Sequence, residues 1–136
     1  MKHQTDPILR HLRRILPQCW SAESSVFPDS WHKAASPDMG QCEGTAMIVE
    51  DMTGMRVVSG VVVDRHGNYR HHFWNEPRDC PGEVIDLAAA QFAYLGHFYY
   101  VEKRPDFGTP REALLRNPSA VRRYHNLKAR VEAHVR

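Results

Sequence analysis

The chain has 136 residues, 42% of them hydrophobic and 25% charged, which suffices for one hydrophobic core and not for two ordinary domains, so we expect a single domain over 1–136. The formal net charge is only +2, but residues 1–20 and 109–136 are basic and the middle of the chain is acidic. No apolar run approaches the roughly 18–20 residues that cross a bilayer, which excludes a membrane span and favours a cytoplasmic protein.

Helices are predicted at both ends of the chain, because an Asp, Thr or Asn precedes a Pro at three places. In each pair the first residue is a typical N-cap and the Pro is a typical first residue of a helix. Asp6 opens a helix over 7–16, in which apolar residues recur with helical spacing. Thr109 opens a second helix with a capping box. Asn117 opens the longest helix, over 118–135.

The middle of the chain predicts a further helix and an antiparallel sheet. A long ordered loop, 21–41, leads into a largely buried helix from Cys42 to Met52 that stops at Gly54. Runs rich in Val and in aromatic residues alternate with turn residues after it, and a short helical segment over 88–92 interrupts them. The predicted strands are 55–63, 69–76, 83–87 and 97–101. This order of elements indicates an α+β fold.

Cys42 is the first candidate for chemistry. The run Gly40-Gln41-Cys42 lies where the loop becomes the buried helix, so the Cys42 sulfur is predicted at a helix N-terminus, where the unpaired N–H groups favour a thiolate and can bind an oxyanion. The alternative is a small buried structural cysteine. Cys19 and Cys80 are expected to be spectators, and three cysteines without a Cys-x-x-Cys motif predict no disulfide framework.

Strand geometry adds an imidazole and a carboxylate. A hairpin turn centred near Asp79 places residues whose numbers sum to 158 opposite each other, so His72 faces Asp86. Both then share the polar, cleft-facing side of the sheet with Trp74, and the carboxylate can orient the imidazole as a general base. A register slip of one residue would favour His71 instead. The alternative role of Asp86 is to cap the helical segment that follows it.

Several motifs resemble one family of bacterial proteins, the YunG-like family, and the likeness covers most of the chain. The motifs are Trp20-Ser21-Ala22-Glu23-Ser24-Ser25, Trp31, Gly40-Gln41-Cys42-Glu43-Gly44-Thr45-Ala46, His72-Phe73-Trp74-Asn75, Ile85-Asp86-Leu87 and Gln91-Phe92.

The same residues resemble, more distantly, the papain-like superfamily and its transglutaminases, whose nucleophile motif reads Gly-Gln-Cys. That resemblance implies a small papain-like or transglutaminase-like core, with Cys42 as nucleophile, His72 as base and Asp86 as the group that orients it. In transglutaminases an indole N–H helps to stabilise the oxyanion, so the resemblance also implies this role for Trp31 or Trp20.

Two further residues are expected near the cleft. Gln41 either lines the cleft or caps the helix that starts at Cys42. Trp74 is expected to form part of the cleft wall or of the core, because of its size.

The function that we expect is attack of the Cys42 thiolate on an amide, isopeptide or thioester carbonyl of a substrate such as a protein or peptide. Hydrolysis, deamidation and cross-linking stay open, and no cofactor is needed. A metal site is disfavoured because His71 and His72, as neighbours on a strand, point to opposite faces.

Two other classes of function are weaker alternatives. The first is a papain-like binding module without catalysis. The second is binding of nucleic acid or of an acidic partner through the C-terminal helices, which is disfavoured because few aromatic residues lie between the cations. The cations concerned are Arg111, Arg116, Arg122, Arg123, Lys128 and Arg130.

Overall fold

The structure, a computed structural model, describes His3 and residues 6–135. It confirms the α+β class, with a three-stranded antiparallel sheet and helices before and after it. The elements are α1 (Pro7–Cys19), α2 (Cys42–Thr53), β1 (Arg56–Asp64), β2 (Tyr69–Glu76), β3 (Phe98–Glu102), α3 (Pro110–Leu115) and α4 (Pro118–Val135).

The predicted helix starts are confirmed. The Asp6 side chain accepts hydrogen bonds from the first turn of α1, and Thr109 forms the predicted capping box with Glu112 at the start of α3. Helix α1 is three residues longer than predicted, because it continues through Pro17 to Cys19. Its last turn keeps buried side chains at Leu16 and Cys19, and this packing offsets the hydrogen bond that Pro cannot donate.

Strand β1 lies at the centre of the sheet, between β2 and β3, and both pairings are antiparallel. The predicted hairpin of β1 and β2 is therefore confirmed, and so is the short strand near residue 100. Gly60 in β1 pairs with His72 on one side and with Glu102 on the other. A Cβ at Gly60 would overlap the Val101 carbonyl oxygen, so the close approach of β3 requires glycine here.

The predicted third strand over 83–87 is wrong. Only one isolated bridge forms there, between Asn75 and Ile85. The register is therefore shifted by two residues from the predicted one, in which Ile85 would have faced Phe73. A shift of two leaves each side chain on its predicted face, because side chains alternate with a period of two.

The core lies between the helices and one end of the sheet. Helix α2 contributes a fully buried run over 44–49, and α1 and α4 each add one apolar stripe. Gly44 lets α4 approach α2 closely, since a Cβ there would lie 3.3 Å from Leu127. That α1, α2, α4 and β1 share this core agrees with one domain over 1–136, which stays a prediction.

Loop 21–41 contains two short 3₁₀ helices, Ala22–Ser24 and Trp31–Lys33. The predicted helical segment over 88–92 is a 3₁₀ helix, Ala89–Leu95. Among the helices that the structure describes, none is long and apolar enough to cross a membrane.

Candidate functional site

Cys42 is the first residue of α2, as the sequence predicts. The Gln41 side chain makes no capping bond to the helix. The first backbone N–H groups of an α-helix have no acceptor within the helix, so those of α2 can donate to a bound group. The Cys42 side chain is partly exposed. A partly exposed cysteine at the positive end of a helix lies where negative charge is stabilised.

His72 and Asp86 are in direct contact. His72 Nε2 lies 2.8 Å from Asp86 Oδ2, and the two side chains are only 1% and 4% exposed. The structure thus brings together the pair that the sequence predicts, although the register that led to the prediction is wrong. His71, the competing candidate, is exposed and lies edge-on to Tyr69.

Asp86 receives hydrogen bonds from three donors. Besides His72, the Tyr100 hydroxyl donates to Oδ2 over 2.7 Å, and the Ala88 backbone N–H donates to Oδ1 over 3.0 Å. The alternative prediction, in which Asp86 caps the helical segment that follows it, is wrong, because this 3₁₀ helix begins at Ala89 and its N-cap residue is Ala88. Three donors fix the orientation of the carboxylate.

His72 also interacts with Cys42. Burial alone would lower the pKa of His72, but the charge of Cys42, the contact with its sulfur and the hydrogen bond to Asp86 together raise this pKa to about 10. The second ring nitrogen, Nδ1, is buried and has no well-aligned hydrogen-bond partner among the described residues. Because Asp86 engages Nε2, Nδ1 is the nitrogen that remains for the Cys42 thiol.

Aromatic rings enclose the imidazole. Trp74, which is buried, stacks on His72 with 6.1 Å between ring centroids, and Phe92 meets His72 edge-on at 4.7 Å. Tyr100 lies against Trp74 at 5.0 Å. Trp74 therefore forms a wall beside the imidazole, as predicted, and the rings keep water from the bond between His72 and Asp86.

The indole N–H groups proposed for an oxyanion are engaged elsewhere. Trp20 Nε1 donates to Thr45 Oγ1 over 3.0 Å, and Trp31 Nε1 donates to the Pro37 carbonyl oxygen over 3.0 Å. In this conformation neither indole is available to a substrate. The acceptor for Trp20, Thr45, is a residue of α2, and the acceptor for Trp31, Pro37, belongs to the same loop as Trp31.

Gln41 neither lines the cleft nor caps α2. Its side chain is fully buried, accepts a hydrogen bond from Ser24 Oγ over 2.6 Å and donates one to the Ser21 carbonyl oxygen over 2.8 Å. Gln41, which directly precedes Cys42, is thus bound through its side chain to the segment that follows α1. The predicted cleft role is corrected to a positioning role, because these buried partners satisfy the amide.

Sequence reasoning missed two residues near this group, Tyr100 and Asp38. Asp38 is fully buried and accepts a hydrogen bond from the Gln91 backbone N–H over 2.9 Å and one from the Ser36 hydroxyl. Burial, with the nearby charge of Asp86, raises the pKa of Asp38. Asp38 therefore ties the loop before Cys42 to the segment that carries Asp86.

Within residue 3 and residues 6–135, no cluster of three or more His, Cys, Asp or Glu side chains could hold a metal ion. Several cations of the C-terminal helices pair with carboxylates of the acidic middle segment. Arg111 contacts Glu50 and Asp51, and Arg123 contacts Glu43. Part of the positive charge of the C-terminal helices is therefore paired with the acidic middle segment.

Comparison with known proteins places the chain in a family. The family model described as YunG protein matches residues 8–136, so the chain belongs to the YunG protein family. One relative, "Uncharacterized protein YunG" of Bacillus subtilis (strain 168), is 31% identical over 84 residues, which are 62% of this chain and 63% of the relative. The match thus spans less than two thirds of the relative's own length. No solved structure matches the chain.

Proposed function

We propose that this member of the YunG protein family is a cysteine-dependent acyl-transfer enzyme with a small papain-like or transglutaminase-like core. In this proposal Cys42 is the nucleophile, His72 the general base and Asp86 the group that orients and charges the imidazole. The observation that supports it is the placement of one buried imidazole between a helix-start cysteine and a carboxylate with three donors.

The first half of the reaction forms a thioester. His72 Nδ1 takes the proton of the Cys42 thiol, and the sulfur attacks the carbonyl carbon of an amide, isopeptide or thioester. The carbonyl oxygen becomes an oxyanion, which the free N–H groups at the start of α2 are placed to stabilise. His72 then returns the proton to the leaving amine or thiol as the bond to the carbonyl carbon breaks.

The second half releases the acyl group. Water or an amine gives a proton to His72 and attacks the thioester, after which the bond between carbon and sulfur breaks and Cys42 is restored. Water yields hydrolysis or deamidation, and an amine yields a cross-link. All proton transfers run through His72, so the proposed reaction needs no cofactor. The proposed substrate is a protein or peptide.

The test is the pH dependence of Cys42 alkylation by iodoacetamide, with all three cysteines mapped by mass spectrometry. An ordinary cysteine thiol has a pKa of about 8.5. We expect Cys42 to react rapidly at pH 6–7, where Cys80, a partly exposed cysteine, reacts slowly. Cys19 is the internal negative control, because it is buried and burial raises its pKa.

The variant His72→Gln distinguishes an enzyme from a binding module. We expect it to fold and to lose the fast alkylation of Cys42 near neutral pH, whereas the matched variant His71→Gln retains it. Thioester formation with an activated peptide ester, detected as a mass increase on Cys42, should be lost with the same variant. If alkylation is slow in the wild-type protein and unchanged in His72→Gln, the catalytic proposal fails and the binding module takes its place.

A further inference from the structure

A pocket of about 300 Å³ opens between the segment after α1 and helix α4. The segment after α1 contributes Glu23 and Ser25 to its polar lining, and α4 contributes Arg122, Arg123 and Asn126. The reaction proposed above does not use this pocket. Its lining combines two guanidinium groups with an amide and a hydroxyl, which is the chemistry of a site for an anionic oxygen.

Two lining residues of the pocket contact residues that lie close to Cys42 in the sequence, one on each side of it. Arg123 Nη2 donates to Glu43 Oε2 over 3.0 Å, and Glu43 follows Cys42 directly in the first turn of α2. Ser25 contacts Gly40, two residues before Cys42, so closely that a Cβ at Gly40 would overlap the Ser25 hydroxyl. A substrate whose carbonyl meets Cys42 can therefore place a neighbouring group in this pocket.

Two polar atoms of the lining have no partner within the described part of the chain. These are Arg123 Nε and Asn126 Oδ1, both buried from solvent. An unpaired buried polar group destabilises the protein, because it has lost its hydrogen bonds to water. A carboxylate close to an amide N–H supplies an acceptor for a guanidinium and a donor for an amide oxygen, and these are the polar groups that Arg123 and Asn126 carry.

The charges of the lining also favour an anion. Arg122 is exposed, and its side chain has neither a hydrogen bond nor an ion pair with any residue that the structure describes. Arg123 forms an ion pair with Glu43 through its Nη2 atom. Glu23 is at the rim, 64% exposed, with its carboxylate 3.8 Å from Arg130. The lining therefore keeps a net positive charge.

We propose that this pocket is a substrate subsite that binds a carboxylate next to the carbonyl attacked by Cys42, so that the enzyme prefers acidic peptides. The inference rests on the proposed function, because a subsite has meaning only beside a reactive Cys42. The carboxylate can come from an acidic side chain or from a peptide C-terminus, and both present the same oxygens to Arg122 and Arg123.

Three chloroacetyl probes test the inference in the full-length protein. They are N-chloroacetyl-glutamic acid α-amide, N-chloroacetyl-glutamine with a free α-carboxylate, and N-chloroacetyl-glutamine α-amide, which carries no charge. With each probe the Cys42 thiolate forms a bond from sulfur to carbon and chloride leaves. We expect at least one carboxylate probe to alkylate Cys42 about fivefold faster than the neutral probe.

Two variants that each remove one positive charge distinguish an effect of the pocket from an effect of the protein's net charge. Arg122→Ala should abolish the preference for the carboxylate probe, and Arg65→Ala, in the turn between β1 and β2, should preserve it. The charged His72 attracts all anionic probes equally in the wild-type protein and in both variants, so the comparison isolates the pocket.

The two proposals fail in different ways. Equal rates for the three probes, or a preference that Arg122→Ala leaves unchanged, overturn the subsite while Cys42 still reacts fast and still depends on His72. If Cys42 reacts slowly with every probe and is indifferent to His72→Gln, the proposed function fails, and the subsite fails with it.

Discussion

Tyr100 donates its hydroxyl hydrogen to Oδ2 of Asp86, the same oxygen that His72 Nε2 contacts. The pKa of Tyr100 is raised well above its ordinary value by burial and by the negative charge of Asp86, so the hydroxyl stays protonated and remains a donor. Residues from β2, from β3 and from the segment between them thus meet at one carboxylate oxygen. The orientation of His72 therefore depends on the pairing of all three strands.

The variant Tyr100→Phe tests this dependence. It removes one donor to Asp86 and keeps the ring that packs on Trp74. We expect the free energy of unfolding in urea to fall by about 1–2 kcal/mol and the alkylation of Cys42 at pH 7 to slow severalfold. Tyr99→Phe is the matched control, because Tyr99 is 57% exposed, and it should change neither quantity. Equal effects of the two variants would contradict a role for the Tyr100 hydroxyl.

The variant Asp86→Asn removes the charge and the acceptor at Oδ2 while its remaining oxygen can still accept from Ala88. We expect alkylation of Cys42 at pH 7 to slow about 10- to 100-fold, because the charged imidazole loses its partner. The fold should be less stable by about 3 kcal/mol, as for a broken buried pair. Circular dichroism checks that the variant is folded, and Asp29→Asn, on the exposed part of loop 21–41, is the control. An unchanged rate in folded Asp86→Asn would remove Asp86 from the proposed mechanism.

The raised pKa of His72 predicts a pH-dependent preference for an anionic reagent. Because this pKa is about 10 instead of 6.5, the imidazole keeps its positive charge from pH 7 to 9 and loses it as the pH rises through about 10. The rate ratio of chloroacetate to chloroacetamide at Cys42 should therefore be high below pH 9 and fall by at least about threefold above pH 10. Ionisation of the thiol affects both reagents alike and cancels in the ratio.

The control for this pH profile is His72→Gln, in which the ratio should be low and flat. A fall of the ratio near pH 6.5 in the wild-type protein would show an ordinary imidazole, and it would contradict the interaction of His72 with Cys42.

Local sequence signals predicted most of the secondary structure. Asp6 and Thr109 fix helix starts through contacts within one turn, and Gly54 ends α2 with a positive φ of 78°. The start of α2 at Cys42 was predicted in the same way. These features depend only on residues a few positions apart, so they can be inferred without knowing the rest of the fold.

Features that depend on long-range pairing were harder to predict. The contact of His72 with Asp86 was predicted from a strand register that differs by two residues from the observed one. The prediction was still correct because a shift of two residues leaves each side chain on the same face of the sheet. Tyr100 was missed because its position follows from the pairing of β3 with β1, about 40 residues apart in sequence. The partners of Trp20 and Trp31 depend on the path of loop 21–41, which no local pattern reveals.

The last prediction concerns Gln41, which directly precedes Cys42 and whose side chain holds the end of loop 21–41 in place. Gln41→Ala would leave Ser24 Oγ and the Ser21 carbonyl without their partners in a fully buried position. We expect the free energy of unfolding to fall by about 2–4 kcal/mol, since two buried hydrogen bonds are lost and a cavity is left. Gln18→Ala is the matched control, because Gln18 is exposed and makes one long bond of 3.4 Å to the Arg14 carbonyl. A loss of stability no larger than that of Gln18→Ala would show that the loop before Cys42 is held by other contacts, and Asp38 would then be the residue to change next.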